Sequence, residues 1–211
     1  MAVGWHADVV LEALTGTGLA ASAGLNAYIP LMLVGLLARF TDTITLPGDW
    51  QWLENPWVLG IIGVLLTIEF VADKIPAVDH VNDVLQTVVR PTSGGLVFGA
   101  SSSAETVTVT DPAAFFSDNR WVPIVVGILI ALAIHAMKAT VRAGINAMTV
   151  GFGAPVASTI EDIVSVSMSL AAILLPVLVL IFLVLIVLLF WWALRRRRRR
   201  KAARLAAARG Y

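Results

Sequence analysis

The chain has 211 residues, 58% of them hydrophobic and 14% charged, with a formal net charge of +1 and a mean hydropathy of +0.86. That composition excludes a soluble globular domain and a disordered chain, and indicates an integral membrane protein. Cysteine is absent, which excludes disulfides and thiolate chemistry.

The charge is unevenly placed. Nine of the fifteen basic residues (Arg195 to Arg200, Lys201, Arg204 and Arg209) fall in the last seventeen positions with no acid among them, leaving the remainder at a formal −8. The N-terminus lacks the basic region and cleavage site of a secretory signal, so the first apolar segment is expected to be retained as a span. Leu14 to Ala38 is uncharged and long enough to cross a bilayer. Its interior is crowded with Gly16, Gly18, Ala20, Ala21, Ala23 and Gly24 ahead of Asn26 and Pro30. Small residues let helices approach closely. The same pattern also suits a broken helix that exposes backbone and Asn26 to a solute.

Residues 41–56 read as a polar loop, with Trp50, Trp52 and Trp57 as an interfacial aromatic belt. The next apolar run, Pro56 to Ala72, leads into Glu69 to Pro91, EFVADKIPAVDHVNDVLQTVVRP, around which the chain is organised. This stretch carries Glu69, Asp73, Lys74, Asp79, Asn82, Asp83 and Arg90 between lipid-soluble flanks. Charge in or beside a bilayer is costly and marks ion or substrate paths. Glu69 and Asp73 stand four apart, on one helical face, where they could carry a proton or bind a cation; the plainer reading has them solvated or paired with Lys74 and Arg90. Asp79, Asn82, Asp83 and Arg90 suit either an interhelical polar network or the wet side of an amphipathic helix whose Val81, Val84, Leu85 and Val88 face lipid.

A shift of 64 residues aligns about 54–95 with about 118–159, with nine identities, among them Lys74 with Lys138 and Asn82 with Asn146. The expectation is an internal repeat of the kind small transporters carry, with Asn26 and Asn146 in similar AGLNA and AGINA contexts as pathway or capping amides. Ile163 to Leu194 is thirty-two residues without a charge and is the clearest span. Glu161 and Asp162 open it, where acids suit a helix N-terminus. Residues 79–100 and 143–160 are short and broken by Gly or Pro, and each either crosses or re-enters. The fold expected is therefore all-α: a polytopic membrane bundle over 1–194 with four long spans, two short broken or re-entrant segments, and a basic tail over 195–211. The basic collar puts the C-terminus, and with it the N-terminus, in the cytoplasm of a multi-pass cell-membrane protein. Arg195, Arg196, Arg197, Arg198, Arg199, Arg200 and Lys201 are expected to contact anionic lipid headgroups.

GLNAYIP, EFVADKIP and VNDVLQTVVRP together resemble an uncharacterised bacterial multi-pass membrane family, domain of unknown function forty-one twenty-six. The resemblance runs to about residue 170; it implies a small multi-pass membrane protein and brings no activity with it.

The three histidines (His6, His80 and His135) are scattered, His6 and His135 lack an i,i+4 partner for a metal site, and no phosphate-binding loop or nucleophile triad is present, so no enzyme, metal, cofactor or nucleic-acid partner is expected. The function expected is a small transporter or channel for an ion or small solute, built on Glu69, Asp73 and the Asn residues and working as a homodimer or higher oligomer. The alternatives are a membrane scaffold or assembly subunit, and a lipid-handling protein that binds headgroups.

Overall fold

The structure, a computed structural model, describes residues 2–102, 121–149 and 153–209. Among these residues the chain is entirely helical, with seven α-helices and one 3-10 helix. They are α1 (Ala2–Leu25), α2 (Tyr28–Phe40), α3 (Pro56–Ala72), α4 (Pro76–Ser101), α5 (Trp121–Thr149), α6 (Ala154–Leu174) and α7 (Leu178–Arg209), with the 3-10 turns over Gly48–Glu54. By length and composition α5 and α6 could each cross a membrane, and the 3-10 helix with α3, bent by 61°, would make a third span.

α1 is the central helix and packs on α4, α5 and α6. Its small residues make this approach possible. A Cβ added at Gly24 would lie 2.6 Å from the Ala131 carbonyl oxygen of α5, and one at Gly18 would lie 2.6 Å from Ala172 Cβ of α6. Ala20, Ala21 and Ala23 are fully buried in the same seam. Ser22 adds a hydroxyl cluster with Ser165 and Ser169 of α6, at 2.7 and 2.6 Å. The stretch of small residues is thus both a tight seam and the approach to a helix break, because α1 stops at Leu25 and α2 begins at Tyr28.

The loop after α2 folds back on the bundle. Arg39 donates to the Glu54 carbonyl at 2.8 Å, which gives this cation a partner outside the spans. Trp50 and Leu53 are buried with Leu19, Val34, Leu46 and Val97. Trp50 is therefore a core residue, not a member of an exposed belt, while Trp52 and Trp57 are exposed. Asn55 caps α3, its Oδ1 accepting from Trp57 N at 2.9 Å, and Pro56 occupies the first helical turn.

The element boundaries differ from the sequence expectation in three places. Residues 79–100 lie inside α4, one continuous helix despite Pro91, whereas 143–160 spans the end of α5 and the start of α6. The apolar run 163–194 is divided where α6 ends at Leu174 and α7 begins at Leu178, around Pro176, which cannot donate a helical hydrogen bond. The helix ends do not follow the 64-residue register either. The α3–α4 break at 73–75 corresponds to 137–139, which is mid-helix in α5. The acidic loop expected at roughly 101–120 lies outside the described residues from 103 onward.

A buried charge cluster at a helix break

α4 shows why charge and lipid-facing apolarity coexist in one segment. Val84, Leu85 and Val88 are exposed, while Gln86, Arg90 and Ser93 are buried. The helix is amphipathic with its polar face turned inward, the inverse of a soluble helix, as a hydrocarbon surround requires. Of the two sequence readings, the apolar outer face is seen at Val84, Leu85 and Val88, but the opposite face is turned into the bundle and is not the wet side of a surface helix.

Arg90 is the centre. It is fully buried and donates from Nη2 to Glu69 Oε1 at 2.9 Å. Its Nη2 lies 3.9 Å from Asp73 Oδ2, and its Nη1 lies 3.7 Å from Asp83 Oδ1. Nη1 also donates to His135 Nδ1 of α5 at 2.9 Å. Because a guanidinium only donates, that ring nitrogen must be the acceptor, so His135 is neutral with its proton on Nε2. Nε2 then donates to Thr87 Oγ1 at 3.1 Å, and the Thr87 hydroxyl donates to the Asp83 carbonyl at 2.9 Å.

Asp73, at the C-terminal end of α3 and buried, joins this group to a second one. Asn82 Nδ2 donates to its Oδ1 at 2.7 Å. Its Oδ2 is 3.4 Å from Lys138 Nζ and 3.5 Å from Arg142 Nη2, both on α5. Lys138 lies 3.1 Å from Glu161 Oε2 of α6, and Arg142 pairs with the same carboxylate. Asp162 receives Asn26 Nδ2 at 2.9 Å and has Lys74 at 3.8 Å. Lys74, 29% exposed at its side chain, also sits over the Phe70 ring at 3.2 Å.

The α1–α2 break closes onto this cluster. Asn26 Oδ1 accepts from the backbone N–H groups of Tyr28 and Ile29 at 3.1 and 3.2 Å, capping α2. The carbonyl of Leu25, freed by the break, accepts from Lys138 Nζ at 2.8 Å, and that of Ala27 accepts from Ser93 Oγ. A cation at the C-terminal end of α1 and a capped N-terminus of α2 satisfy the helix ends and their dipoles. Six helix segments thus converge on one interior region, two of them the halves of a broken helix.

Of the residues singled out in the sequence, Asn26, Glu69, Asp73, Lys74, Asn82, Asp83 and Arg90 all belong to this cluster. Asn146 stands one turn beyond Arg142, its buried Oδ1 without a hydrogen-bond partner among the described residues. The side chain of Asp79 lies outside the described residues, as do those of Arg197, Arg199, Arg200 and Lys201. Arg195 and Arg196 stack over Trp191 and Trp192 at 4.9 and 5.1 Å, and the side chain of Arg198 is exposed. The sequence reading did not place Lys138, Arg142, His135, Glu161 or Asp162 among the pathway residues. The signal was present for the first three: positions 135, 138 and 142 share one helical face of an otherwise apolar helix.

Among the described residues, five carboxylates (Glu69, Asp73, Asp83, Glu161, Asp162) meet four cations (Lys74, Arg90, Lys138, Arg142). Counted over these residues alone, there is one formal negative charge in excess. Glu69 Oε2 is buried with no hydrogen-bond donor among these residues. No group of His, Cys, Asp and Glu among them is arranged to hold a metal ion.

Among the described residues, an all-helical arrangement with two or three helices apolar enough to cross a bilayer and an ionic cluster held between them is, by class, that of a membrane protein. The chain belongs to the family described as a domain of unknown function, DUF4126, whose model matches residues 13–196. No curated protein matches the chain, and no solved structure does.

Proposed function

We propose that this protein is a small membrane transporter or channel for a proton or another small cation, and that the cluster around Glu69 and Asp73 is the site through which the cation passes. The observation that carries this reading is the unbalanced buried cluster at the α1–α2 break, with Glu69 Oε2 left without a donor. Ion pairs removed from water lose hydration that their mutual attraction barely repays, and well-packed apolar residues would serve stability as well or better. A cluster of nine charged groups, five of them buried and four half-buried, is therefore poorly explained as glue alone. A bound proton or cation would balance the excess charge. A discontinuous helix whose ends point at the site is the arrangement in which secondary transporters hold coupling ions.

For transport, α4 must complete a crossing together with α5 and α6; its 26 residues span about 39 Å at ~1.5 Å per residue, which suffices. A chain with so few crossings encloses a pathway more readily as a homodimer or higher oligomer. The basic tail beyond Trp191 and Trp192 is a cytoplasmic anchor on anionic headgroups, each basic residue near the surface contributing ~1 kcal/mol. The test is flux: proteoliposomes containing the protein should dissipate an imposed proton or alkali-cation gradient, and Glu69→Gln and Asp73→Asn should abolish this while the purified variants stay folded. Unchanged flux in both variants, or none in the unmodified protein, would overturn the reading.

A further inference from the structure

The ionic cluster lies around the α1–α2 break. Further along α1, towards its N-terminus, a cleft of about 240 Å³ opens between α1, α2, α4 and α6. Glu12, Thr15 and Ser101 line it and are half-buried. Leu19, Val34 and Val97 also line it and are 0 to 3% exposed, so the cleft ends on aliphatic side chains. Its residues on α1, α4 and α6 lie seven or more positions from Asn26, Arg90 and Asp162 of the cluster. That is ~10 Å of helix or more at ~1.5 Å per residue.

A file of hydroxyls occupies the interval. α1 and α6 run antiparallel in contact: a Cβ at Gly18 would meet Ala172, Ser22 meets Ser169 and Ser165 at 2.6 and 2.7 Å, and Asn26 meets Asp162 at 2.9 Å. Down this seam from the cleft the order is therefore Leu19 and Ile173, then Ser169, Ser22 and Ser165, then Asp162. The three serines are fully buried and in oxygen-to-oxygen contact, a spacing that admits no hydrated ion.

We infer that the cleft is the far mouth of the proposed cation path, that Leu19 is its gate, and that the cation is the proton, relayed by Ser169, Ser22 and Ser165 to the Asp162 carboxylate. This rests on the transport reading and narrows it. A hydroxyl has one donor and two acceptor sites. Each can therefore take a proton from the cleft side, forming one O–H bond, as its own proton leaves for the next oxygen, breaking another. Asp162 follows Ser165 by one turn on α6, and one water completes that last step. An alkali cation would need several oxygens around it and an opening to match. Leu19 lines the cleft one turn before Ser22, and an aliphatic constriction of this kind holds water out until it moves.

The test uses the full-length protein in proteoliposomes, with entrapped dyes reading proton, potassium and sodium flux separately. Proton flux without potassium or sodium flux is expected. Ser22→Ala, shown to be folded by its thermal midpoint, should abolish proton flux. Leu19→Ala should raise it and still pass no potassium, which a merely loosened bundle would do. Thr15→Cys should be labelled by a cationic methanethiosulfonate from the vesicle face opposite to the one that reaches Asn82→Cys, an outcome that holds whether or not Ser22→Ala folds. Potassium or sodium flux, undiminished proton flux in folded Ser22→Ala, or Thr15→Cys not labelled from that opposite face would overturn the inference and leave the Glu69 and Asp73 cluster as a cation site. Proton flux lost in Ser22→Ala but kept in Glu69→Gln and Asp73→Asn would instead overturn the cluster reading and leave this route standing.

Discussion

Replacing Arg90 by Met should destabilise the protein more than any other single change in the cluster. The guanidinium is 0% exposed and holds Glu69 at 2.9 Å, with Asp73 and Asp83 within 4 Å. Because neither Arg90 nor Glu69 is in contact with solvent, there is no screening to discount. Breaking a buried pair by removing one partner typically costs ~3–5 kcal/mol, since the other charge is left uncompensated. For a chain of this size that corresponds to a midpoint lower by roughly 6–20 °C. The assay is thermal unfolding in mild detergent, repeated for Glu69→Gln and for the double variant. The double variant should recover a large part of the loss, because the stranded carboxylate is gone; a coupling of ~0.5–3 kcal/mol is the expected range for groups in direct contact. Additive single effects, or an Arg90→Met midpoint within 2 °C of the unmodified protein, would refute the description of Arg90 as the centre of a buried ionic group.

Three further outcomes follow from the packing and from the break. Gly24→Val should disrupt folding, because its Cβ would meet the Ala131 carbonyl and Ile134 at 2.6 Å, whereas Gly60→Ala, with no atom within 4 Å of the added carbon, should be neutral or stabilise by up to ~1 kcal/mol; circular dichroism melts compare the two. Asn26→Ala removes the α2 cap and the bond to Asp162 and should cost ~0.5–2 kcal/mol, while Asn26→Asp keeps the cap but sets a second carboxylate against Asp162 and should be the worse of the two. Ser22→Ala should lower the midpoint by less than Arg90→Met, since Ser165 and Ser169 are neutral hydroxyls and a net hydrogen bond contributes ~0.5–1.5 kcal/mol.

What could be read from the residues alone was the segment that supplies much of the buried charge, Glu69 to Pro91, and the small-residue approach to Asn26. Both are local patterns: charge where lipid solubility is otherwise unbroken, and glycine where only close contact rewards it. What could not be read was which helix faces meet. Glu161 and Asp162 look like ordinary acids at the start of a helix until α6 is seen to carry them eight residues in, against Lys138 and Lys74. The 64-residue similarity pointed at Lys138 and Asn146 but misplaced the helix ends, because apolar residues match at many registers and do not mark where a helix stops. Trp50 looked like an interfacial residue for the same reason: tryptophan suits a membrane boundary and a core equally well, and only the folded-back loop decides.

The account depends on a water-accessible route reaching the ionic cluster from one side of the membrane. Asn82 donates to Asp73 and is itself only partly buried, and the chain has no native thiol. Asn82→Cys in oriented vesicles, treated with a small cationic methanethiosulfonate reagent, should be labelled in the folded protein from one side only, and labelling should stop cation flux. A thiol at position 82 that reacts only after denaturation would contradict the account and leave the cluster as a sealed ionic staple.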